Sequence, residues 1–201
     1  PDPIRYYIAM TFPESRDSDW SWDGFVTRNN TELLAAWGNL VNRVLKFAHK
    51  HFDGAVPDPG ALRAMDEEII AKVEGGFETV GGLLAAVRLR DALTEGIALA
   101  REVNAYLDRA PWFKVVKEDK ATAATTIYTA LRCIGNLKTL LAPFLPFTSQ
   151  QVHEFLGYDG TLFGEQHIET FQESERPHEA LTYHADERVV GRWEPSALPV
   201  G

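Results

Sequence analysis

A row of polar side chains on one predicted helix face is suited to hydrogen bonding and to contact with anions. Its members recur at intervals of three or four residues: Asn39, Arg43, Lys46 and Lys50. At roughly 100° of rotation per residue they fall within one narrow sector, which we call the polar stripe. The opposite sector is apolar and holds Trp37, Leu40, Val41, Val44 and Ala48. An amide beside a guanidinium can contact base edges and phosphates together, so the stripe predicts RNA binding. The same pattern also fits an ordinary solvated helix face.

A tryptophan at a turn is the second candidate feature. Pro111 and Trp112 follow the end of a predicted helix, and such a turn would hold the indole rigidly with one face open for stacking. Stacking of a base on an aromatic ring contributes on the order of 1–3 kcal/mol. The alternative is that Trp112 fills the core at a helix corner. The neighbouring residues 109–138 carry a net charge of +4, so cationic character is concentrated beside this turn.

The chain as a whole is acidic. Its 201 residues, of which 45% are hydrophobic, are enough to bury a substantial core. The net charge of −9 argues against indiscriminate binding of nucleic acid, which normally needs a broad basic surface. Any RNA contact is therefore predicted to occupy a small patch.

Cysteine content and hydropathy indicate the cellular setting. The single cysteine, Cys133, excludes an internal disulfide and a cysteine-cluster metal site, and its apolar helical position predicts a buried thiol. A chain without disulfides fits a reducing, cytoplasmic setting. No apolar run approaches the ~20 residues that would cross a bilayer, so no membrane contact is predicted. The chain begins at Pro1 rather than Met, which we interpret as a fragment of a longer protein.

The polar stripe belongs to a long predicted helix. Ser21 is a suitable N-cap, and Asp23 lies in the first turn, where a negative charge favours the helix dipole. The apolar periodicity continues to Phe52, and Asp53-Gly54 ends the helix. Gly38 interrupts this pattern, so we expect a kink or a junction of two helices there.

Further helices complete an all-α, antiparallel bundle. We predict one from Ala61 to about Val80, broken by Gly81-Gly82, and a long one that ends by Ala110. The apolar face of the long helix comprises Leu83, Val87, Leu93, Ile97, Ala100 and Leu107. Another helix is predicted over 121–141, and a Thr148–Gln151 capping box opens a short one that closes at Gly157. The domains are then a connective segment (1–20), the bundle (21–157) and an extended C-terminal tail packed on it (158–201).

Several short motifs occur along the chain in a specific order. They are Asp2-x-Ile4-Arg5-Tyr6-Tyr7-Ile8, Pro13-Glu14-x-x-Asp17, Ser21-Trp22, Arg28-Asn29-Asn30-x-Glu32-Leu33, Gly38-Asn39-Leu40-x-Asn42-Arg43, Asn104-x-Tyr106, Ala110-Pro111-Trp112, Leu141-x-Pro143-x-Leu145-Pro146 and Trp193-x-Pro195. With these motifs the chain resembles the C-terminal half of methionyl-tRNA synthetases, which are class I enzymes. Its first residues resemble the segment after the Lys-Met-Ser-Lys-Ser loop of that family.

The resemblance implies a helical-bundle anticodon-binding domain that recognises the CAU anticodon of methionine tRNAs. Asn39 and Arg43 match residues that contact anticodon bases in the family, and Trp112 matches a stacking tryptophan that Pro111 helps to place. Lys46, Lys50 and Lys114 are expected to make auxiliary RNA contacts. The anticodon loop of tRNA(Met) is the implied partner.

The resemblance also implies a larger enzyme, a ligase that attaches methionine to tRNA(Met) using ATP. Neither His-Ile-Gly-His nor Lys-Met-Ser-Lys-Ser occurs here. ATP and Mg²⁺ are therefore implied for a missing catalytic domain, which would be the second partner. The fragment itself is expected to be inactive alone, with no cofactor and no metal.

Two other functions remain compatible with the residues. The chain could be the anticodon-binding domain of another class I synthetase. It could also be a helical protein–protein interaction module, whose acidic residues in 53–108 and in the tail bind a basic partner.

Overall fold

All regular structure in the described part of the chain is helical, which confirms the predicted fold class. The computed structural model describes residues 1–13 and 19–162. Its α-helices are α1 (Asp2–Met10), α2 (Trp22–Arg28), α3 (Asn39–Phe52), α4 (Ala64–Ala85), α5 (Leu89–Arg109), α6 (Lys120–Leu141) and α7 (Pro146–Phe155). A π-helical segment (Asn29–Gly38) joins α2 to α3, and a 3₁₀ turn (Val115–Lys117) precedes α6. Within these residues, no helix is long and apolar enough to cross a membrane.

The helix that carries the polar stripe runs from α2 through the π-helical segment into α3. It begins as predicted, because the Ser21 hydroxyl oxygen accepts a hydrogen bond from the Gly24 N–H at 3.1 Å. At the predicted junction the Asn39 N–H still donates to the Leu34 carbonyl, five residues earlier, before α-helical bonding resumes. The helix ends at Asp53, which has a left-handed φ of 54°.

α6 forms the centre of the core, packed against α3, α4, α5 and α7. Its predicted apolar positions are fully buried: Ile127, Leu131, Ile134, Leu137 and Leu141. The Cys133 thiol is buried among them as predicted, and burial raises its pKa well above the ordinary value. The long, nearly all-buried α6 therefore fixes the positions of the surrounding helices.

Two glycines allow α4 and α5 to approach this core closely. A Cβ added at Gly76 of α4 would lie 2.5 Å from Leu99 Cδ1 and 3.0 Å from Leu140 Cδ1. A Cβ at Gly96 of α5 would lie 3.0 Å from Leu141 Cδ2. A Cβ at either position would force the leucine side chains to shift, so both glycines favour close helix packing.

The predicted helix break at Gly81-Gly82 is wrong. Both glycines lie inside α4 on an exposed face, and the helix continues to Ala85. The reversal comes at Val87, which has a φ of 59° and an exposed side chain. The apolar face of α5 therefore includes neither Val87 nor Leu83, which lies in α4. The N–H groups of Val87 and Arg88 donate to the carbonyls of Leu84 and Leu83, which satisfies the end of α4 by backbone bonds.

The predicted Thr148–Gln151 capping box is also wrong. α7 begins at Pro146, so Thr148 already lies in its first turn. The Thr148 N–H donates instead to Oδ2 of the buried Asp2 carboxylate at 2.6 Å. The chain beyond Gly157, which has a φ of 81°, is described only to residue 162, so most of the predicted tail lies outside the described residues.

The segment predicted as a connection, residues 1–20, contains α1, which packs on the bundle. Arg5 Nε and Nη2 donate to the carbonyls of Phe144 and Pro143 at 3.0 and 3.1 Å. Together with the Asp2 contact, these bonds attach the beginning of the chain to the α6–α7 turn. The domain boundaries at 20 and 157 stay predictions.

Candidate nucleic-acid interface

An open groove of about 450 Å³ lies between α3 and the turn that follows α5. Its lining residues are Asn42, Arg43, Lys46, Phe47, Lys50, His51, Trp112 and Phe113. The groove thus brings Arg43, Lys46 and Lys50 of the polar stripe beside Trp112, although these residues are far apart in sequence. Cationic groups and aromatic rings share one cavity.

The polar stripe faces outward because the rest of α3 is anchored in the core. Leu40, Val41, Val44 and Ala48 are fully buried, as predicted. Asn39 is exposed one helical turn before Arg43, outside the lining of the groove. A base that reaches Asn39 would therefore extend from the groove along α3.

Trp112 is held in one orientation by a hydrogen bond and by a neighbouring ring. Its indole N–H donates to the Leu107 carbonyl at 2.8 Å. Its ring meets Phe47 edge-on, with centroids 4.7 Å apart and an interplanar angle of 68°. The side chain is partly buried against the core and also lines the groove. The interpretation of Trp112 as a core residue is thus confirmed in part, and its role in stacking stays a prediction.

A buried polar network supports the Pro111-Trp112 turn. The fully buried Asp66 carboxylate accepts hydrogen bonds from Arg63 and from the Tyr106 hydroxyl, each at 2.7 Å. Arg63 also donates to Thr126 Oγ1 at 2.8 Å, and this hydroxyl donates to the Pro111 carbonyl at 3.1 Å. The network therefore ties the start of α4, the end of α5 and the beginning of α6 to the turn.

The pKa shifts in this network follow from burial and hydrogen bonding. Burial raises the pKa of Asp66, but the hydrogen bonds from Arg63 and Tyr106 outweigh it, so the carboxylate titrates below its ordinary value. Burial and the bond to Asp66 raise the pKa of Tyr106 above its ordinary value. Asp66 therefore stays ionised and Tyr106 stays neutral around neutral pH.

The Arg43 guanidinium is oriented by residues of α5. Nη1 donates to Asp108 Oδ1 at 3.1 Å, and Nη2 donates to the side-chain and backbone oxygens of Asn104 at 3.1 and 3.2 Å. Arg43 Cζ lies 5.9 Å from the centroid of the Trp112 ring. The cation and the indole are therefore presented together.

Asn104 is itself fixed, and its position determines that of Arg43. Its Nδ2 donates to the Ala100 carbonyl at 2.9 Å and, across the helix interface, to the Ala36 carbonyl at 2.8 Å. Ala36 lies in the π-helical segment, so this bond links α5 to the helix that carries Arg43. The amide nitrogen of Asn104 thus donates twice, and its amide oxygen accepts the hydrogen bond from Arg43.

Sequence reasoning assigned no role to several residues at this site. Asn104 occurs in the family motifs, but nothing in the sequence linked it to Arg43. Phe47 and His51 could have been found, because they follow Arg43 at successive steps of four residues on one helix face. Phe113 adjoins Trp112 and is 68% exposed.

The groove lies in a local positive field. Burial and three nearby lysines hold the pKa of His51 below its ordinary value. These lysines are Lys50, Lys120 and Lys117. Lys114, predicted as an auxiliary contact, is exposed but does not line the groove. An anion would reduce the mutual repulsion of these groups.

Within residues 1–13 and 19–162, no group of three or more His, Cys, Asp or Glu side chains is arranged to hold a metal ion. His167, His178 and His184 lie outside the described residues.

Two family models together match most of the chain. Residues 56–182 match a model described as the anticodon binding domain of methionyl tRNA ligase. Residues 1–45 match a model described as class I tRNA synthetases (M). Arg43 lies in the second match and Trp112 in the first, so the groove joins the two matched parts.

Individual relatives and solved structures agree with these matches. Methionine–tRNA ligase of Thermomicrobium roseum is 52% identical over 203 residues, which cover 100% of this chain and 34% of the relative. The enzyme of Chloroflexus aurantiacus is 52% identical over 202 residues and is covered to 33%. The free-state crystal structure of Mycobacterium tuberculosis methionyl-tRNA synthetase superposes with a TM-score of 0.84 at 26% identity, covering 96% of this chain and 39% of that one. The chain spans about a third of the length of the curated relatives.

Proposed function

Because the chain belongs to the methionyl-tRNA ligase family and matches its anticodon-binding domain, we propose that it recognises the CAU anticodon of methionine tRNAs. The observation that carries this proposal is the groove in which the Arg43 guanidinium lies beside the Trp112 ring. In the whole protein this recognition would select the tRNA to which a ligase attaches methionine using ATP. ATP and Mg²⁺ are proposed for the rest of such a ligase, outside the third that this chain spans.

The geometry suits unpaired bases. Bases that are splayed out of a loop expose a flat face and a full Watson–Crick edge. The Trp112 ring offers a stacking surface, Arg43 offers N–H donors, and Asn39 adds a donor and an acceptor one turn away. The hydrogen bond from Trp112 to Leu107 limits the reorganisation needed on binding.

The charge distribution favours a small contact with RNA. The acidic chain repels most of a polyanion, whereas Lys46 and Lys50 provide local attraction. Since few phosphates are neutralised, we expect modest affinity and a shallow dependence on salt. We also propose a cytoplasmic location, with which the buried thiol of Cys133 is compatible.

The test is titration of the 201-residue chain with a CAU anticodon stem-loop and its single-base variants at one fixed salt concentration. Asn39→Ala, Arg43→Ala and Trp112→Ala are compared with the wild type. Trp22→Ala and Arg88→Ala are controls, because both side chains are exposed and lie outside the groove, Trp22 at the start of α2 and Arg88 just before the start of α5.

We expect the wild type to prefer the CAU loop. This preference should be lost in Asn39→Ala, Arg43→Ala and Trp112→Ala and should persist in both controls. Each lost contact is expected to weaken binding by about 1–3 kcal/mol. Binding that ignores the loop sequence, or that is unchanged in Trp112→Ala, would contradict the proposal.

A further inference from the structure

An exposed aromatic ring lies at the edge of the groove, next to Trp112. Phe113 is 68% exposed, more than any other phenylalanine in the part of the chain that the structure describes. Its ring centroid lies 5.7 Å from that of Trp112 and 6.3 Å from that of Phe47. Phe113 thus extends the aromatic lining beyond the residue assigned to stacking.

The angle between the Trp112 and Phe113 rings determines whether one base can stack on both. Trp112 and Phe113 are inclined by 70°. A flat base that lies parallel to the indole is therefore steeply inclined to the phenyl ring and cannot stack on both. Two stacking surfaces at this angle would accommodate two different bases.

The charges around Phe113 favour an anionic occupant. Lys46 and Lys50 line the same groove, and Lys117 and Lys120 act on His51 at its wall. This concentration of positive charge occurs in a chain with a net charge of −9. A flat ring with a phosphate attached is complementary to an exposed aromatic ring beside lysines.

We propose that Phe113 and Lys50 form a binding site for a second unpaired nucleotide of the anticodon loop, one outside the CAU triplet. The base stacks on Phe113, and its phosphate lies near Lys50. This inference rests on the proposed function and adds a contact to the loop that Trp112 does not make.

The test is a double-mutant cycle between the chain and the RNA loop. The full chain and its Phe113→Ala variant are titrated with the CAU stem-loop and with loops in which each nucleotide outside CAU is made abasic in turn. We expect one abasic position to weaken binding to the wild type by about five-fold or more. Phe113→Ala should weaken binding to the intact loop by a similar factor and should be insensitive to that abasic position. Phe113→Tyr should restore wild-type behaviour.

A matched control is Phe147→Ala, which removes another exposed phenylalanine. Phe147 is 58% exposed on α7, beyond the opposite end of α6, which at 22 residues is about 33 Å long. This variant should bind every loop as the wild type does. Lys50→Ala should reduce the slope of log K against log salt by about 0.7, whereas Lys72→Ala should leave it unchanged.

The outcomes separate this inference from the proposed function. The second nucleotide site is refuted if Phe113→Ala binds every loop as the wild type does, or if it weakens binding to every loop by the same factor. A CAU preference that depends on Trp112 would still stand in either case. If the wild type shows no CAU preference, both proposals fall.

Discussion

The Arg43 guanidinium, which we propose contacts an anticodon base, is oriented by its hydrogen bonds to Asn104. Asn104→Ala removes the acceptor of Arg43 and the donor to the Ala36 carbonyl. We expect CAU stem-loop binding to weaken by about 1–2 kcal/mol, since each such hydrogen bond contributes about 1 kcal/mol. Titration of Asn104→Ala, Arg43→Ala and the double variant checks this. If the two effects simply add, Asn104 does not act through Arg43.

His51 should couple RNA binding to pH. Its pKa is held below the ordinary value by burial and by nearby lysines, so it is neutral at pH 7. A bound phosphate would offset the lysine charges and raise this pKa, so binding would take up a proton. Affinity should therefore increase as the pH falls from neutral through the pKa of His51 in the complex, and His51→Gln should reduce that increase. NMR titration of the imidazole with and without RNA measures the shift directly. An unchanged pKa in the complex would disprove the coupling.

At the level of residues, the sequence predicted those polar side chains that recur with the period of a helix. Arg43, Lys46 and Lys50 lie together because α3 has the expected period and a buried opposite face. Asn104 and Phe113 were assigned no role, because the roles proposed for them depend on contacts between elements distant in the chain. Such contacts leave no periodic signal in a single sequence.

At the level of elements, the π-helical segment is the feature that periodicity could not predict. Its bonds to the fifth preceding residue change the rotation of α3 relative to α2. The Ala36 carbonyl within it accepts a hydrogen bond from α5. The segment thus sets the face of α3 that meets α5 and, with it, the direction of Arg43.

The turn between α4 and α5 contains a strained residue whose replacement should stabilise the protein. Val87 has a φ of 59° and is 69% exposed, so it has a disfavoured backbone conformation and little packing to lose. We expect Val87→Gly to raise the free energy of unfolding by about 1 kcal/mol. Denaturant unfolding measures the change, with Ala71→Gly on the exposed face of α4 as control. That control should lower stability by about 1 kcal/mol. A decrease in both variants would argue against strain at Val87.

The same turn shows why element boundaries were mispredicted. Two adjacent glycines usually end a helix, but packing of α4 against α5 and α6 outweighs their unfavourable propensity. The Thr148–Gln151 pattern failed for a similar reason. A carboxylate from the far end of the chain, Asp2, satisfies the first turn of α7.

At the level of the whole molecule, α1 is a stabilising part of the bundle. The Asp2 carboxylate is buried and accepts a hydrogen bond from the Thr148 N–H in the first turn of α7. We expect Asp2→Ala to lower the free energy of unfolding by about 1–3 kcal/mol, because a buried donor is left unsatisfied. Thermal or denaturant unfolding checks this, with the exposed Asp19→Ala as control. Equal stability of both variants would show that the contact contributes little.

Fold class and family could be predicted for the molecule as a whole, because they depend on features spread along the chain. The order of the motifs identified the family, and the two family matches confirm it. The alternative of an interaction module arose from the acidic residues in 53–108 and in the tail, a pattern that does not say which charged side chains meet in space. That pattern could not show that Lys46 and Lys50 of α3 line one groove with Trp112, or that Lys117 and Lys120 act on His51 at its wall.

The buried cysteine of α6 has a practical consequence. A thiol reagent reaches Cys133 only after α6 separates from its neighbours, so the labelling rate reports how often the core opens. The chain has one cysteine, so the product is a single, uniform mass increment. A ligand that binds the folded state must slow this reaction. The unmodified protein therefore contains its own chemical sensor for the proposed RNA binding, and the retardation caused by a CAU stem-loop would measure affinity without any attached dye.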